Sequence, residues 1–158
     1  MKISDYFAEL FVAGRLVDNG WNVYFPHRDM GFDFIITKRI STGELLMRPV
    51  QVKGKYPTDD KGDQPLYGYV GSLEIHPEMV LAIPFFDQSQ NTPCHIAYMP
   101  ATMIREHSRG YRCQPALFKN GKANPRRDHR VFFDEQGIQN LALVGFRDMK
   151  LAGAAGAE

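Results

Sequence analysis

The chain has two cysteines, Cys94 and Cys113, among its 158 residues. They have no metal-binding spacing and are too few for a disulfide scaffold, so reduced thiols in a cytoplasmic protein are expected. The five histidines, at positions 27, 76, 95, 107 and 129, share no HxxxH-type spacing, which argues against a zinc site. Cys94 and His95 are adjacent, hence on opposite faces of a strand, and do not make a nucleophile–base pair. No apolar run reaches the length that crosses a bilayer, and the first residues lack the basic-then-apolar layout of a signal peptide, so no membrane partner is expected. An excess of one charge is missing too: the formal net charge is +1, which says nothing about an acidic partner. With no internal repeat and no linker, residues 1–150 read as one domain, followed by a low-complexity, frayed tail at 151–158.

What the chain does have is a dense stretch from Gly31 to Lys55, GFDFIITKRISTGELLMRPVQVKGK. Asp33 opens the β-branched and aromatic run Phe34-Ile35-Ile36-Thr37, which predicts a buried strand. Ser41-Thr42-Gly43-Glu44 supplies a turn, and residues 45–53 predict the returning strand. Gln51 and Lys53 are two apart and share a strand face. Pairing about the turn brings Asp33 back beside Gln51. An acid, an amide oxygen and an amine then meet next to residues that otherwise read as core, which is costly unless the cluster has a use.

Around that hairpin the pattern is α/β. Residues 3–19 predict a first helix, capped by Ser4 or Asp5 and stopped at Asn19-Gly20. Its expected apolar face is Phe7, Leu10, Phe11, Gly14 and Val17, with Glu9 off that face and therefore half-exposed, unless it is aimed at the site of Asp33. A short strand at 21–25 is stopped by Pro26. Residues 54–71 read as a long loop, with a helical turn near 67–73. Strands are expected at 78–86 and 94–99, then a helix from Pro100 to about His107, a short strand at 131–133 and a helix at 134–141 capped by Asp134.

From Arg105 to Arg130, eight basic residues face only Glu106 and Asp128, a local charge of +6 that leaves −5 for the rest. The stretch reads either as an irregular solvated surface or as a nucleic-acid contact through Arg126, Arg127 and Arg130. Lys55 repeats the parity of Lys53 and is a further phosphate-binding candidate.

Glu9 on a first helix, then GxD at Gly31-Phe32-Asp33, then QxK at Gln51-Val52-Lys53, resembles the PD-(D/E)XK nuclease superfamily, nearest to its Holliday-junction resolvase-like and Mrr-like restriction endonuclease branches. The resemblance covers residues 4–53 and implies an α-β-β-β-α-β restriction-endonuclease-like core with a central mixed sheet flanked by helices. It departs from the pattern at Phe32, where the name-giving proline would stand, and at Gln51, where an acid would. It implies Asp33 as the principal Mg²⁺ ligand, with Mn²⁺ as an alternative ion, the Gln51 amide and the Val52 carbonyl as further oxygens, Glu9 holding a metal-bound water, and Lys53 orienting or activating the attacking water. Gln51 in place of a carboxylate makes a weaker hard ligand.

The expectation is therefore a Mg²⁺-dependent endonuclease acting on DNA, a homodimer by the same resemblance. The alternative is a nuclease-like fold without catalysis that serves as a nucleic-acid-binding or protein-assembly module. The Asp33–Lys53 pair favours the first, Gln51 the second.

Overall fold

Gly20 adopts φ +90° and ends the first helix, α1 (Asp5–Asp18), while the Asn19 side chain donates back to the Arg15 carbonyl at 2.8 Å. The computed structural model describes residues 5–57, 69–87 and 91–151. The buried face of α1 corrects the sequence expectation. Ala8, Val12, Ala13 and Leu16 are buried, whereas Phe7, Leu10 and Val17 are 43%, 42% and 54% exposed. Small residues let the helix lie close to the sheet, and the bulkier ones face outward. Glu9 has Val12, Ala13 and Leu16 as its neighbours three, four and seven residues on, so it flanks the buried stripe and is half-buried.

The chain continues through β1 (Asn22–Tyr24), β2 (Phe34–Arg39) and β3 (Leu45–Val52). The short β4 (Tyr69–Gly71) stands where the sequence suggested a helical turn; most of the long loop before it lies outside the described residues. Then come β5 (Val80–Phe86) and β6 (Pro93–Pro100). Five of these strands form a mixed sheet in the order β1-β2-β3-β5-β6, parallel between β3 and β5 and antiparallel elsewhere. The fold is thus mixed α/β with a mixed central sheet.

β5 is buried along its whole length because its two faces serve two cores. Val80, Ala82 and Phe86 pack with α1 and the C-terminal helix, while Leu81, Ile83 and Phe85 pack with the small strands that follow. Each fully buried Val, Leu, Ile or Phe contributes about 1.5–3 kcal/mol.

After β6 the structure departs from the sequence reading. Instead of a helix from Pro100, a single 3₁₀ turn at Ala101–Met103 gives way to extended backbone at Ile104 (ψ 122°) and to β7 (Arg105–His107). β7 pairs with β8 (Gly110–Arg112), and β8 with β4, making a three-stranded sheet. β9 (Ala116–Lys119) and β10 (Lys122–Pro125) form a second hairpin whose Ala116, Phe118 and Ala123 cover β5 and β6. The basic stretch is therefore not an irregular surface segment. The expected strand at 131–133 is a 3₁₀ helix, Arg127–Phe132, with only Phe133 bridging Ala97.

Helix α2 (Asp134–Leu141) follows, but Asp134 does not cap it. Asp134 has φ +55°, and its carboxylate accepts the Ile96 N–H at 2.9 Å and meets His95 Nδ1 at 2.9 Å. It thereby covers the outer edge of β6, whose main-chain groups would otherwise be open. Arg48, 1% exposed, crosses from β3 to the end of α2, donating to the Leu141 and Leu143 carbonyls at 2.9 and 2.8 Å and to Glu78 at 2.8 Å. Both cysteines are free, with burial pushing each thiol up to about 12. Among the described residues no helix is long and apolar enough to cross a membrane.

Candidate active site

The β2–β3 hairpin fixes the centre of the site. Phe34 pairs with Val50, so Asp33 stands opposite Gln51, and the Asp33 N–H donates to the Val50 carbonyl at 2.9 Å. Gly31, at φ +85°, admits the chain to this position. An added Cβ would lie 2.7 Å from Glu74 Cβ, a separation real side chains do not show. The Asp33 carboxylate accepts the Val52 N–H at 2.7 Å, which locks its rotamer against the returning strand.

β3 effectively continues beyond its regular end. Val52 pairs with Ala82 and Lys55 bridges Phe85 in the same parallel register. Lys53 and Lys55 donate their N–H groups to the Ala82 and Pro84 carbonyls at 3.0 and 2.9 Å. Gln51, Lys53 and Lys55 therefore form one row, about 6.6 Å apart from one residue to the next. On the opposite parity, Val52 within this row and Tyr56 just past it belong to the α1 side of the sheet, where Tyr56 stacks on Phe86 at 5.0 Å.

These residues share a cleft of about 350 Å³ lined by Asp5, Glu9, Asp33, Gln51, Val52, Lys53, Gly54, Lys55, Val70 and Gly71. All four residues expected to be catalytic are in that wall, with Val52 and Lys55. Asp5 was not anticipated as part of it, although its place one helical turn before Glu9 was the available signal. Val70 and Gly71 come from a stretch with no periodicity to read. On the other side of the Asp33–Gln51 wall lies a second hollow of about 380 Å³, bordered by Asp29, Phe32 and Glu74.

Glu9 reaches Asp33 and hydrogen-bonds to it, and its carboxyl is pushed up to about 7. Partial burial is the main cause, followed by the Asp33 charge, the hydrogen bond with Asp33 and the Asp5 charge. The Glu9 carboxyl therefore holds its proton to a higher pH than an ordinary glutamate does. Lys55 shifts downward, first through burial and then through the charge of Lys53.

The residues present fit a hard divalent cation. Gln51 Oε1 is buried and accepts no hydrogen bond among the described residues, leaving a hard oxygen with unmet capacity at the Asp33 wall. The charge repulsion between Asp33 and Glu9, which contributes to the raised Glu9 carboxyl, is a second feature that a cation relieves. Among the described residues no three His, Cys, Asp or Glu side chains gather as a metal-ready group. The donor set is instead two carboxylates and an amide.

Arg126, Arg127 and Arg130 do not line this cleft. Arg126 donates to the Gln114 carbonyl at 2.7 Å and to Gln114 Oε1 at 3.1 Å, and Arg127 and Arg130 are exposed on their 3₁₀ helix. The basic residues nearest the cleft by connectivity are those of β7 and β8, because β4 supplies Val70 and Gly71 to the cleft and pairs with β8. No protein-family model matches the chain, and no curated protein matches it significantly.

Proposed function

We propose that this protein is a Mg²⁺-dependent endonuclease of the PD-(D/E)XK type, hydrolysing DNA phosphodiester bonds. The observation that carries the reading is the buried Gln51 Oε1, without a hydrogen-bond partner among the described residues, in one cleft with Glu9, Asp33 and Lys53. The order helix, strand, strand, strand, with the acid entering the second strand and the lysine ending the third, supports a restriction-endonuclease-like core.

Asp33, Gln51, the Val52 carbonyl and Glu9 would hold the cation. When bound, Mg²⁺ polarises the phosphate and lowers the pKa of its water. Asp33 is oriented by the Val52 N–H before any ligand arrives. Lys53 positions the attacking water and offsets the negative charge that builds on the phosphate oxygens as the new P–O bond forms and the ester P–O bond breaks. Lys55, next in the row, contacts a neighbouring phosphate. Glu9, ionised, would hold a water beside the cation.

Gln51 supports a second reading, a nuclease-like fold that binds nucleic acid or assembles with protein without cutting, because an amide oxygen is a weaker ligand than a carboxylate. The test is nicking of supercoiled and branched DNA with Mg²⁺ or Mn²⁺ against an EDTA control. The nuclease reading expects metal-dependent nicks that Asp33→Asn abolishes. No cleavage by either the wild type or Gln51→Glu on any substrate leaves the binding-module reading. A homodimer is part of the nuclease reading, and sedimentation of the full chain tests it.

A further inference from the structure

The β7–β8 hairpin carries Arg105, Arg109 and Arg112 within eight residues whose single acid is Glu106. Arg105 and Arg112 are direct partners across the antiparallel ladder, and both are exposed. Their Cβ atoms are therefore about 5 Å apart on one face of the hairpin. Glu106 pairs with Tyr111 and points to the other face, so it does not neutralise them. A third guanidinium joins the pair. Arg112 reaches Gln114 Oε1 at 3.5 Å, and the same oxygen accepts from Arg126 at 3.1 Å.

Among the described residues the ion pairs are Arg15–Glu135, Arg48–Glu78, His95–Asp134 and Arg147–Glu78, so none of these three arginines meets a carboxylate. Like charges directly opposite each other destabilise a ladder. A surface that keeps them together with no counter-charge among the described residues is matched to a polyanion.

The hairpin is fastened to the cleft. β8 pairs with β4 through Tyr69↔Arg112 and Gly71↔Tyr111, and Val70 and Gly71 are cleft wall. At the hairpin's turn Gly110 has φ +124°, and an added Cβ would stand 2.5 Å from the Gly71 carbonyl oxygen. Only glycine permits that approach. Arg112 is thus one strand spacing, about 5 Å, and Arg105 two spacings, about 10 Å, beyond the cleft wall.

We infer that the β7–β8 hairpin is a DNA-backbone clamp, in which Arg105 and Arg112, with Arg126 beside them, grip phosphates next to the nucleotide held in the cleft. The inference rests on the reading of the cleft as a phosphodiester-cleaving site. Guanidinium forks bind phosphate oxygens in pairs, and such contacts fix position without reading sequence.

Duplex DNA binding by the full chain, followed by fluorescence anisotropy in EDTA between 50 and 200 mM salt (about the range over which phosphate contacts weaken), tests this without cleavage. The Arg105→Gln/Arg112→Gln double variant should bind more weakly, on the order of 100-fold at low salt, with a log–log salt slope shallower by about two units. Arg15→Gln/Arg39→Gln, with the same loss of charge on α1 and β2, should change the slope by less than about half a unit. Arg105→Lys/Arg112→Lys should keep the wild-type slope, which separates lost charge from lost folding, and removal of the like-charge pair should not lower the melting temperature. The clamp is overturned by a wild type that does not bind DNA, by an unchanged slope in the first double variant, or by equal losses in both glutamine variants. Nicking by the wild type in Mg²⁺ is scored separately. If binding behaves as expected and no nicking occurs, the clamp stands and the nuclease reading falls.

Discussion

The carboxylate of Asp33 accepts the main-chain N–H of Val52 at 2.7 Å while its own N–H donates to the Val50 carbonyl at 2.9 Å. One residue thereby ties the entry of β2 to the exit of β3 through both its main chain and its side chain. Asp33→Ala leaves the Val52 N–H without its partner in a partly buried place, a cost of about 1–3 kcal/mol. Asp33→Asn keeps an acceptor of the same shape and removes only the charge. Thermal unfolding should show Asp33→Asn close to wild type and Asp33→Ala clearly lower, with both losing metal-dependent nicking. Equal melting temperatures for the alanine variant and the wild type would mean that water replaces the carboxylate freely.

The Glu9 carboxyl, raised from 4.5 to about 7 chiefly by burial and then by Asp33, gives stability a pH dependence of defined sign. Between these values the folded protein holds a proton that the unfolded chain releases, so in the absence of metal stability is greatest below about pH 4.5 for this group and is lost as pH rises through 7. Glu9→Gln should flatten that fall. In the nuclease reading Mg²⁺ competes with the Glu9 proton, so the rise in melting temperature on adding Mg²⁺ should be larger at pH 8 than at pH 5. A Mg²⁺ effect that is the same at both values would separate Glu9 from the metal.

The strands of the main sheet are legible in the sequence because their runs are β-branched or aromatic, and Asp33 meets Gln51 because one turn fixes one register. Other parts are legible only by signals of a different kind. Asn120 and Gly121, both at positive φ (52° and 75°), make the two-residue turn between β9 and β10, and an Asn-Gly pair is a strong hairpin signal that the surrounding basic residues obscure. The helix expected from Pro100 fails because the main chain must stay extended at Ile104 to enter β7. The buried face of α1 is misread from residue size, since close packing on the sheet selects alanine over phenylalanine. Arg48 carries no local signal at all, because its partners are 30, 93 and 95 residues away.

Arg48 is the charged residue on which the junction of β3, Glu78 and the end of α2 depends. Its guanidinium satisfies two carbonyls, pairs with Glu78 and lies 4.9 Å from the centre of the Phe146 ring. Arg48→Met fills most of the volume but leaves the Leu141 and Leu143 carbonyls without donors. Breaking a buried pair in this way costs about 3–5 kcal/mol. The loss should fall toward the low end because Glu78 keeps Arg147 at 2.7 Å. Urea denaturation should report it as a lower midpoint with an unchanged slope. A loss below about 1 kcal/mol, no more than a typical net hydrogen bond, would mean that water reaches these carbonyls without disturbing the packing.

In the nuclease reading, Gln51 sets how strongly the cleft takes a cation. Its buried Oε1 has no hydrogen-bond partner among the described residues, and the Glu9 carboxyl in the same cleft is raised to about 7, chiefly by burial and then by Asp33. Gln51→Glu places a fourth carboxylate in the cleft, beside Asp5, Glu9 and Asp33. Without metal, the added repulsion should lower the melting temperature, most of all above pH 7, where Glu9 is ionised. With Mg²⁺, the extra hard, charged ligand should make the Mg²⁺-induced rise in melting temperature larger than in the wild type and reached at lower concentration. Nicking should then need less Mg²⁺, while the dependence of DNA binding on salt, set by arginines outside the cleft, should stay the same. A variant that is destabilised without metal yet gains nothing from Mg²⁺ would show that the three oxygens do not converge on one ion, and the cleft would then be a binding site without a metal centre.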